Sequence, residues 1–350
     1  LGSVWDKCLR VAELSRVIAN RVGVDAALAT HAAALSKCDL MTRMVGEFPE
    51  LQGVMGYYYA RAQGESIDVA RALDQFYMPR QSGDAIAQTP LARVLAVAER
   101  VDTLAGIFAV GMKPSGNRDP FALRRAALGL ARTLIEGQLD IDLHAQFIEA
   151  LEQLPDAVLA AGKTAPDAAP ISRTELADAL YGFVVERLRG YYAEQGFAGN
   201  LFEAVAAVQP HSLLDFDRRL RALAQFAARP ESLRLAAANK RVANILRKQA
   251  DAGDTMTVPL PPASEAAEVA LAAAVDAVSQ SASAQVAATD YAAALTSLAA
   301  LDAPLDRFFN EVMVVDKDAQ QRARKLALLG QIHVQFLAIA DVARLQEQQT

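Results

Sequence analysis

The side chains able to do chemistry are few and unevenly placed. Four histidines are scattered at positions 31, 144, 211 and 333, and the two cysteines, Cys8 and Cys38, form no CxxC pair. That argues against a structural zinc site and for a reducing compartment. There is no Gly-rich phosphate loop, no nucleophile elbow and no pair of carboxylates in a recognisable acid-base setting, so no catalytic residue is expected in this chain. The cations are more informative. Lys240, Arg241, Asn244, Arg247 and Lys248 recur at steps of one, three and four. On a helix Lys240, Asn244, Arg247 and Lys248 share one face, which can grip phosphates or present donors to unstacked bases. A solvated basic face, with Asn244 bonding locally, is the alternative. Lys113, Arg118, Arg124 and Arg125 surround Asp119-Pro120, a helix start whose dipole and free N–H groups favour an anion unless Asp119 itself fills that place. Phe308 and Phe309 follow Arg307; paired phenylalanines belong more often to a core than to a base-stacking surface.

Net charge is −6 over 350 residues, which by itself disfavours a polyanionic partner. The charge is segregated, however. Asp215 to Lys248 holds nine cationic residues against three acids, and Asp251 to Asp318 holds eleven acids against Arg307 and Lys317. A basic stripe between acidic stretches focuses a local positive field.

These residues must be carried by helices. The chain is 53% hydrophobic but only 6% aromatic, with alanine prominent, the composition of an all-α protein. Apolar residues spaced by three and four predict a helix from Val4 to Val22, ended by Gly23. Asp25 should cap a second, from Ala26 to about Val45, with Glu47-Phe48-Pro49 at its end. Leu51 to Arg61 should continue as a helix. Pro90 should open an apolar helix through Ala109, Asp119-Pro120 another, and a closing helix should begin near Asp318. Val312 to Val315 is the one strand-like run. Leu154 to Pro170 and Asp251 to Ser264 read as connectors. Tyr57, Tyr58 and Tyr59 cannot all face inward on a helix, so with Glu47 and Glu50 they mark a candidate partner surface, with a packed domain core the equal alternative for the Met-Phe-Leu pattern around them. The alanine-rich tract 266–300 is interrupted by Glu268, Asp276 and Asp290 and does not predict a membrane span. No export signal is read at the start, and cytoplasm is the expected location.

Two segments resemble a superfamily of metal-dependent hydrolases that binds its metals through a histidine, a His-Asp dyad and a late aspartate on a helical bundle. AAALSKCDL resembles its dyad helix and VLAVAERVDTL, ending at Asp102, the helix of the late aspartate. Ser36 and Lys37 stand at the dyad positions, so an imidazole is replaced by a hydroxyl and a carboxylate by a cation that repels a metal. His31, five residues earlier, is off register and reads as an ordinary helix residue. Ser36, Lys37 and Asp102 are therefore relic metal positions, with Asp102 expected to pair with Lys37 or cap a helix.

MVGEFPELQGVMGYYYA (44–60), GMKPSGNRDPFALRRAALGL (111–130) and KRVANILRK (240–248) are similar to the β subunit of the tetrameric bacterial glycyl-tRNA synthetases. FFNEVMVVDKDAQQRARKLALLGQI (308–332) resembles the end of that family's helical, DALR-like anticodon-binding domain. The matches keep their order along the chain and correspond to the C-terminal half of that subunit. The resemblance implies a degenerate HD-type helical domain (1–140), a helical connecting body (141–204) and an anticodon-binding helical domain (205–350). It implies that this chain contacts tRNA(Gly) and an α subunit in an α2β2 assembly, without a membrane or DNA. Glycine activation with ATP and Mg2+ would belong to the α subunit, and this chain would hold no cofactor. Lys240, Arg241, Asn244, Arg247, Lys248, Lys113, Arg118, Arg124 and Arg125 are the candidate tRNA-binding residues, and Tyr57, Tyr58 and Glu47 the candidate partner interface. An active metal-dependent phosphohydrolase and a purely protein-binding scaffold are the rival readings.

Overall fold

The computed structural model describes residues 1–81, 83–161, 171–251, 262, 263 and 265–346. Every regular element among them is helical, and the one β-bridge there joins Ser115 to Arg118. Two compact units emerge: Leu1–Tyr191 with His211–Leu214, and Tyr192–Pro210 with the chain from Asp215 onward. The body expected over 141–204 is thus shared between two units.

The first unit runs through α1 (Val4–Val22), α2 (Ala26–Leu35), α3 (Arg43–Glu47), α4 (Val54–Ala62), α5 (Ile67–Gln75), α6 (Pro90–Ala109), α7 (Leu123–Glu136), α8 (Leu143–Glu152), α9 (Asp156–Ala161) and α10 (Arg173–Glu194), the last of which continues past the division. α1 has the predicted bounds because both ends are closed locally. Ser3 and Asp6 form a reciprocal capping box, and Gly23 takes the left-handed conformation at φ 73° that a β-carbon disfavours. α6 is the axis of the unit. Fifteen of its twenty residues are buried, as expected of a helix that is apolar all round, and it packs against α1, α2, α5, α7, α8 and α9.

Two helices depart from expectation. α2 starts on Asp25 but stops at Leu35 instead of continuing to Val45. Ser36 is the cause: its Oγ donates to the Ala33 carbonyl at 2.7 Å, and a hydroxyl bonding its own backbone competes with helix propagation. A 3₁₀ turn over Cys38–Met41 follows, and Thr42 caps the short α3. Beyond Pro49 a further 3₁₀ turn precedes α4. α7 begins at Leu123, three residues beyond the predicted Pro120, because Ala122 sits at φ 52°. Asp119 still closes that end: its two carboxylate oxygens accept the Leu123 and Arg124 amides at 2.8 and 2.9 Å.

The second unit contains α11 (Gly199–Ala206), α12 (Leu213–Ala227, from Asp215 onward), α13 (Ser232–Asp251), α14 (Ala266–Ala287), α15 (Tyr291–Leu298), α16 (Asp302–Glu311) and α17 (Ala319–Leu337), then a 3₁₀ turn, Val342–Gln346. Buried Tyr192, Phe202 and Phe216 cluster at one end, and the Tyr192 hydroxyl donates to Asp217 at 3.1 Å. α13 packs on α16, α17 and the final 3₁₀ turn; α14 packs on α15, α16 and α17. Asp318 caps α17 as expected. Val312 to Val315 forms no strand: Val312 and Val314 are buried, and the buried Lys325 ammonium donates to the Met313 carbonyl, Glu265 and Asp316 at 3.0, 2.6 and 3.0 Å. Of the two expected connectors, residues 162–170 and 252–261 with Ser264 lie outside the described residues, and α9 occupies part of the first. Among the described residues no helix is long and apolar enough to cross a membrane.

Candidate functional site

At Lys37 and Asp102, two of the three positions read above as relic metal sites, the structure places a chain of ion pairs. Asp102, 3% exposed, accepts from Lys7 Nζ at 2.8 Å and Arg10 Nε at 2.6 Å, both from α1, and not from Lys37 as expected. Lys37 instead pairs with Glu99 at 3.1 Å, one turn earlier on α6, and Lys7 bridges back to the same Glu99 oxygen at 3.5 Å. The Lys37 ammonium also donates to the Tyr77 hydroxyl at 3.2 Å and lies 4.8 and 4.5 Å from the ring centres of Phe76 and Tyr77. Burial, aided by nearby carboxylates, pushes the Tyr77 phenol far above its ordinary range, so it stays neutral. Ser36 is spent on the backbone, and His31 lies apart, 2.8 Å from Glu65. Among the described residues no three His, Cys, Asp or Glu side chains converge. With both Asp102 oxygens taken by cations and an ammonium at Lys37, these residues do not fit a divalent metal.

Above this frame, Arg100 is buried and donates to the carbonyls of Phe76, Tyr77, Met78, Pro79 and Ala96 at 2.7 to 3.3 Å. Burial lowers its pKa to about 10, so it remains charged at neutral pH. The turn it holds leads to Arg80, whose guanidinium donates to the Gln52 carbonyl at 2.9 Å and lies over Tyr77.

The basic face of α13 forms as predicted. Arg241, Asn244, Arg247 and Lys248 are exposed and Lys240 is half-buried. Arg247 donates to Asn244 at 2.9 Å, one helical turn away, so Asn244 does bond locally. Arg241 lies 4.2 Å from the ring centre of Phe309. Phe308 is core at 0% exposure, while Phe309 is half-buried beneath that guanidinium. Arg307 is engaged with Glu311 at 2.8 Å. Lys240, Arg247 and Lys248 have no carboxylate partner among the described residues.

The four cations around Asp119 are not brought to one point. Asp119 fills the amino end of α7; Lys113, exposed, lies 5.3 Å from the Phe108 ring centre; Arg118 is exposed on the loop. Arg124 and Arg125 line an open cleft of about 830 Å³ between α7 and α10, the Arg124 guanidinium also reaching back to the Gly116 carbonyl of that loop at 2.6 Å. That cleft also takes Arg132, Arg187 and Arg189, which sequence reading passed over because some 60 residues separate the two groups. The motif ERLRG (186–190) was the available signal. In the tyrosine run, Tyr58 is 60% exposed and Tyr57 meets it edge to face at 5.2 Å. Glu47 is exposed, beside exposed Met41, Met44 and Phe48.

Among the described residues the chain is helical throughout its regular elements, with the cation-bearing α13 lying over the half-buried Phe309. The family described as glycyl-tRNA synthetase beta subunit matches residues 1–207, and the DALR anticodon binding domain matches 235–340, which includes α13, α16 and α17. Glycine–tRNA ligase beta subunits from Xanthomonas campestris pv. campestris, Pseudomonas aeruginosa and Acinetobacter baylyi are 50%, 47% and 45% identical to it across 99% of this chain and 48% of theirs. The chain belongs to the glycyl-tRNA synthetase beta-subunit family. It spans about half the length of the curated relatives it matches.

Proposed function

We propose that this chain is a tRNA-binding, non-catalytic part of a glycine–tRNA ligase beta subunit, holding tRNA(Gly) for aminoacylation by the alpha subunit of an α2β2 enzyme in the cytoplasm. The observation that carries this reading is the coincidence of the DALR match with the exposed cations of α13 and the Arg241–Phe309 stack. Cations free of carboxylates bind phosphates and fix register; Asn244 and the Arg241 fork supply donors for unstacked anticodon bases. Glycine activation, with ATP and Mg2+, falls to the alpha subunit, and this chain needs no cofactor of its own. Tyr57, Tyr58 and Glu47, with the exposed apolar side chains near them, are the surface offered to that subunit. Replacing Lys240, Arg241 and Arg247 with Gln should weaken tRNA(Gly) binding and flatten the log–log salt dependence by about 2. An unaltered affinity across the salt series would rule out the α13 site.

A further inference from the structure

Five arginines line the cleft between α7 and the Glu186–Gly190 stretch of α10: Arg124, Arg125 and Arg132 from one wall, Arg187 and Arg189 from the other, with Glu186 as the only acid lining it among the described residues. Two of them are committed. Arg132 is chelated by Glu136, at 2.6 and 3.2 Å, and Arg189 faces Glu186 at 3.3 and 3.4 Å. The other three have no carboxylate partner among the described residues. Arg124 donates to the Gly116 carbonyl at 2.6 Å, and Arg125 reaches the Arg80 carbonyl at 3.5 Å. Arg187 lies 5.5 Å from the Phe183 ring centre, and its Nε is buried without a hydrogen-bond partner.

We infer that this cleft is a second RNA-binding site, which takes a run of successive phosphates of the same tRNA; the inference rests on the tRNA-binding reading above. The three arginines without a carboxylate come from both walls, Arg124 and Arg125 from α7 and Arg187 from α10, so donors face a bound strand from two sides. Arginine's planar fork matches phosphate oxygens bidentately, and low-dielectric walls strengthen each contact. The cleft is concave and open, the shape for a strand or groove edge, whereas a flat acidic protein surface would reach only its rim.

The test uses the full-length chain with Arg124→Gln, Arg125→Gln and Arg187→Gln combined. Binding of tRNA(Gly) and of its isolated anticodon hairpin is measured over a KCl series, with thermal unfolding and alpha-subunit copurification as companion measurements. The expected result is tenfold or greater weakening for tRNA, a log–log salt slope flatter by about 2, an unchanged hairpin affinity and an unchanged melting temperature. Unchanged tRNA affinity overturns the cleft assignment and leaves the α13 reading standing. Equal weakening of the hairpin overturns it too, because the loss would then not be local to the cleft. Loss of alpha-subunit copurification with tRNA affinity intact would assign the arginines to a protein partner instead. Wild-type chain that binds no tRNA at low salt would defeat the proposed function itself.

Discussion

Arg100→Met is the sharpest probe of how the first unit is held together. The guanidinium serves five carbonyls, four of them in consecutive residues, Phe76 to Pro79, of a turn tied back to α5 through the Phe76 and Met78 amides, which donate to the Ala72 and Gln75 carbonyls at 3.0 and 2.9 Å. Methionine keeps most of the volume and removes every donor. Carbonyls bonded to a charged group lose about 1.5–3 kcal/mol each when the donor goes, and the losses are not additive once the turn relaxes and water enters. The removed cation also had a desolvation cost, which offsets part of the sum. A net destabilisation of about 3–5 kcal/mol follows. For a unit of this size that corresponds to a fall of roughly 6–20 °C in melting temperature. Calorimetry on wild type and variant reads this directly. Because the turn also supplies Pro79 and Gln81 to the arginine cleft, tRNA affinity should drop as well. A melting-temperature change under roughly 2 °C would show that the turn stands without Arg100 and would refute the reasoning.

Two further outcomes follow from particular contacts. Asp102→Asn leaves Arg10 without its counter-charge and Lys7 with only the longer Glu99 contact at 3.5 Å, which should destabilise the unit by about 2–3 kcal/mol; adding Arg10→Met should recover part of that loss in urea unfolding, and a strictly additive pair would disprove the coupling. His333 is half-buried against Asn239, at 3.4 Å, with Asp341 nearby, and burial holds its pKa below the ordinary 6.5. The unfolded chain therefore binds a proton more readily than the native one, so this contribution is complete above pH 6.5 and is lost as pH falls through that value. Melting temperature should drop more steeply with acidification in wild type than in His333→Gln; parallel curves would exclude the mechanism.

The elements readable in the sequence were those closed by neighbours in sequence. α1 is bounded by Ser3 and Gly23 and α6 by Thr89-Pro90, so caps and apolar spacing suffice. The end of α2 was missed because it depends on where one hydroxyl turns: Ser36 was read as a lost ligand, not as a helix terminator. The start of α7 was misplaced because Asp119 reaches its amides across a turn in which Ala122 is left-handed, and nothing in an alanine signals that. The α13 face was legible because its residues lie within nine positions on one helix. The cleft was not, since its walls come from residues near 125 and near 188. The Lys7–Asp102 and Arg10–Asp102 pairs join residues more than 90 positions apart, and periodicity carries no information about which cation of several will arrive.

The structure also separates two kinds of cation, which bears on the tension between an acidic chain and the RNA partner proposed for it. Lys7, Arg10, Lys37, Arg219 and Lys325 are each held by carboxylates and are partly or wholly buried, so their charge is cancelled where it stands. In the first unit they link as Lys37, Glu99, Lys7, Asp102 and Arg10, three positive groups on two negative ones, occupying the ground where a metal hydrolase would concentrate carboxylates and imidazoles. Such a network gives little net stability, because each ion has been taken from water, but it tolerates few alternative arrangements and therefore fixes the bundle's geometry. Lys240, Arg247, Lys248, Arg124, Arg125 and Arg187 have no carboxylate partner among the described residues; the first three lie on α13 and the other three line the α7–α10 cleft. Screening limits each charge to about 8–10 Å at physiological salt, so an approaching phosphate responds to these local groups and not to a net charge of −6 summed over the whole chain. On the proposed function the overall acidity then acts in the same direction as specificity: it disfavours RNA away from such local groups of cations.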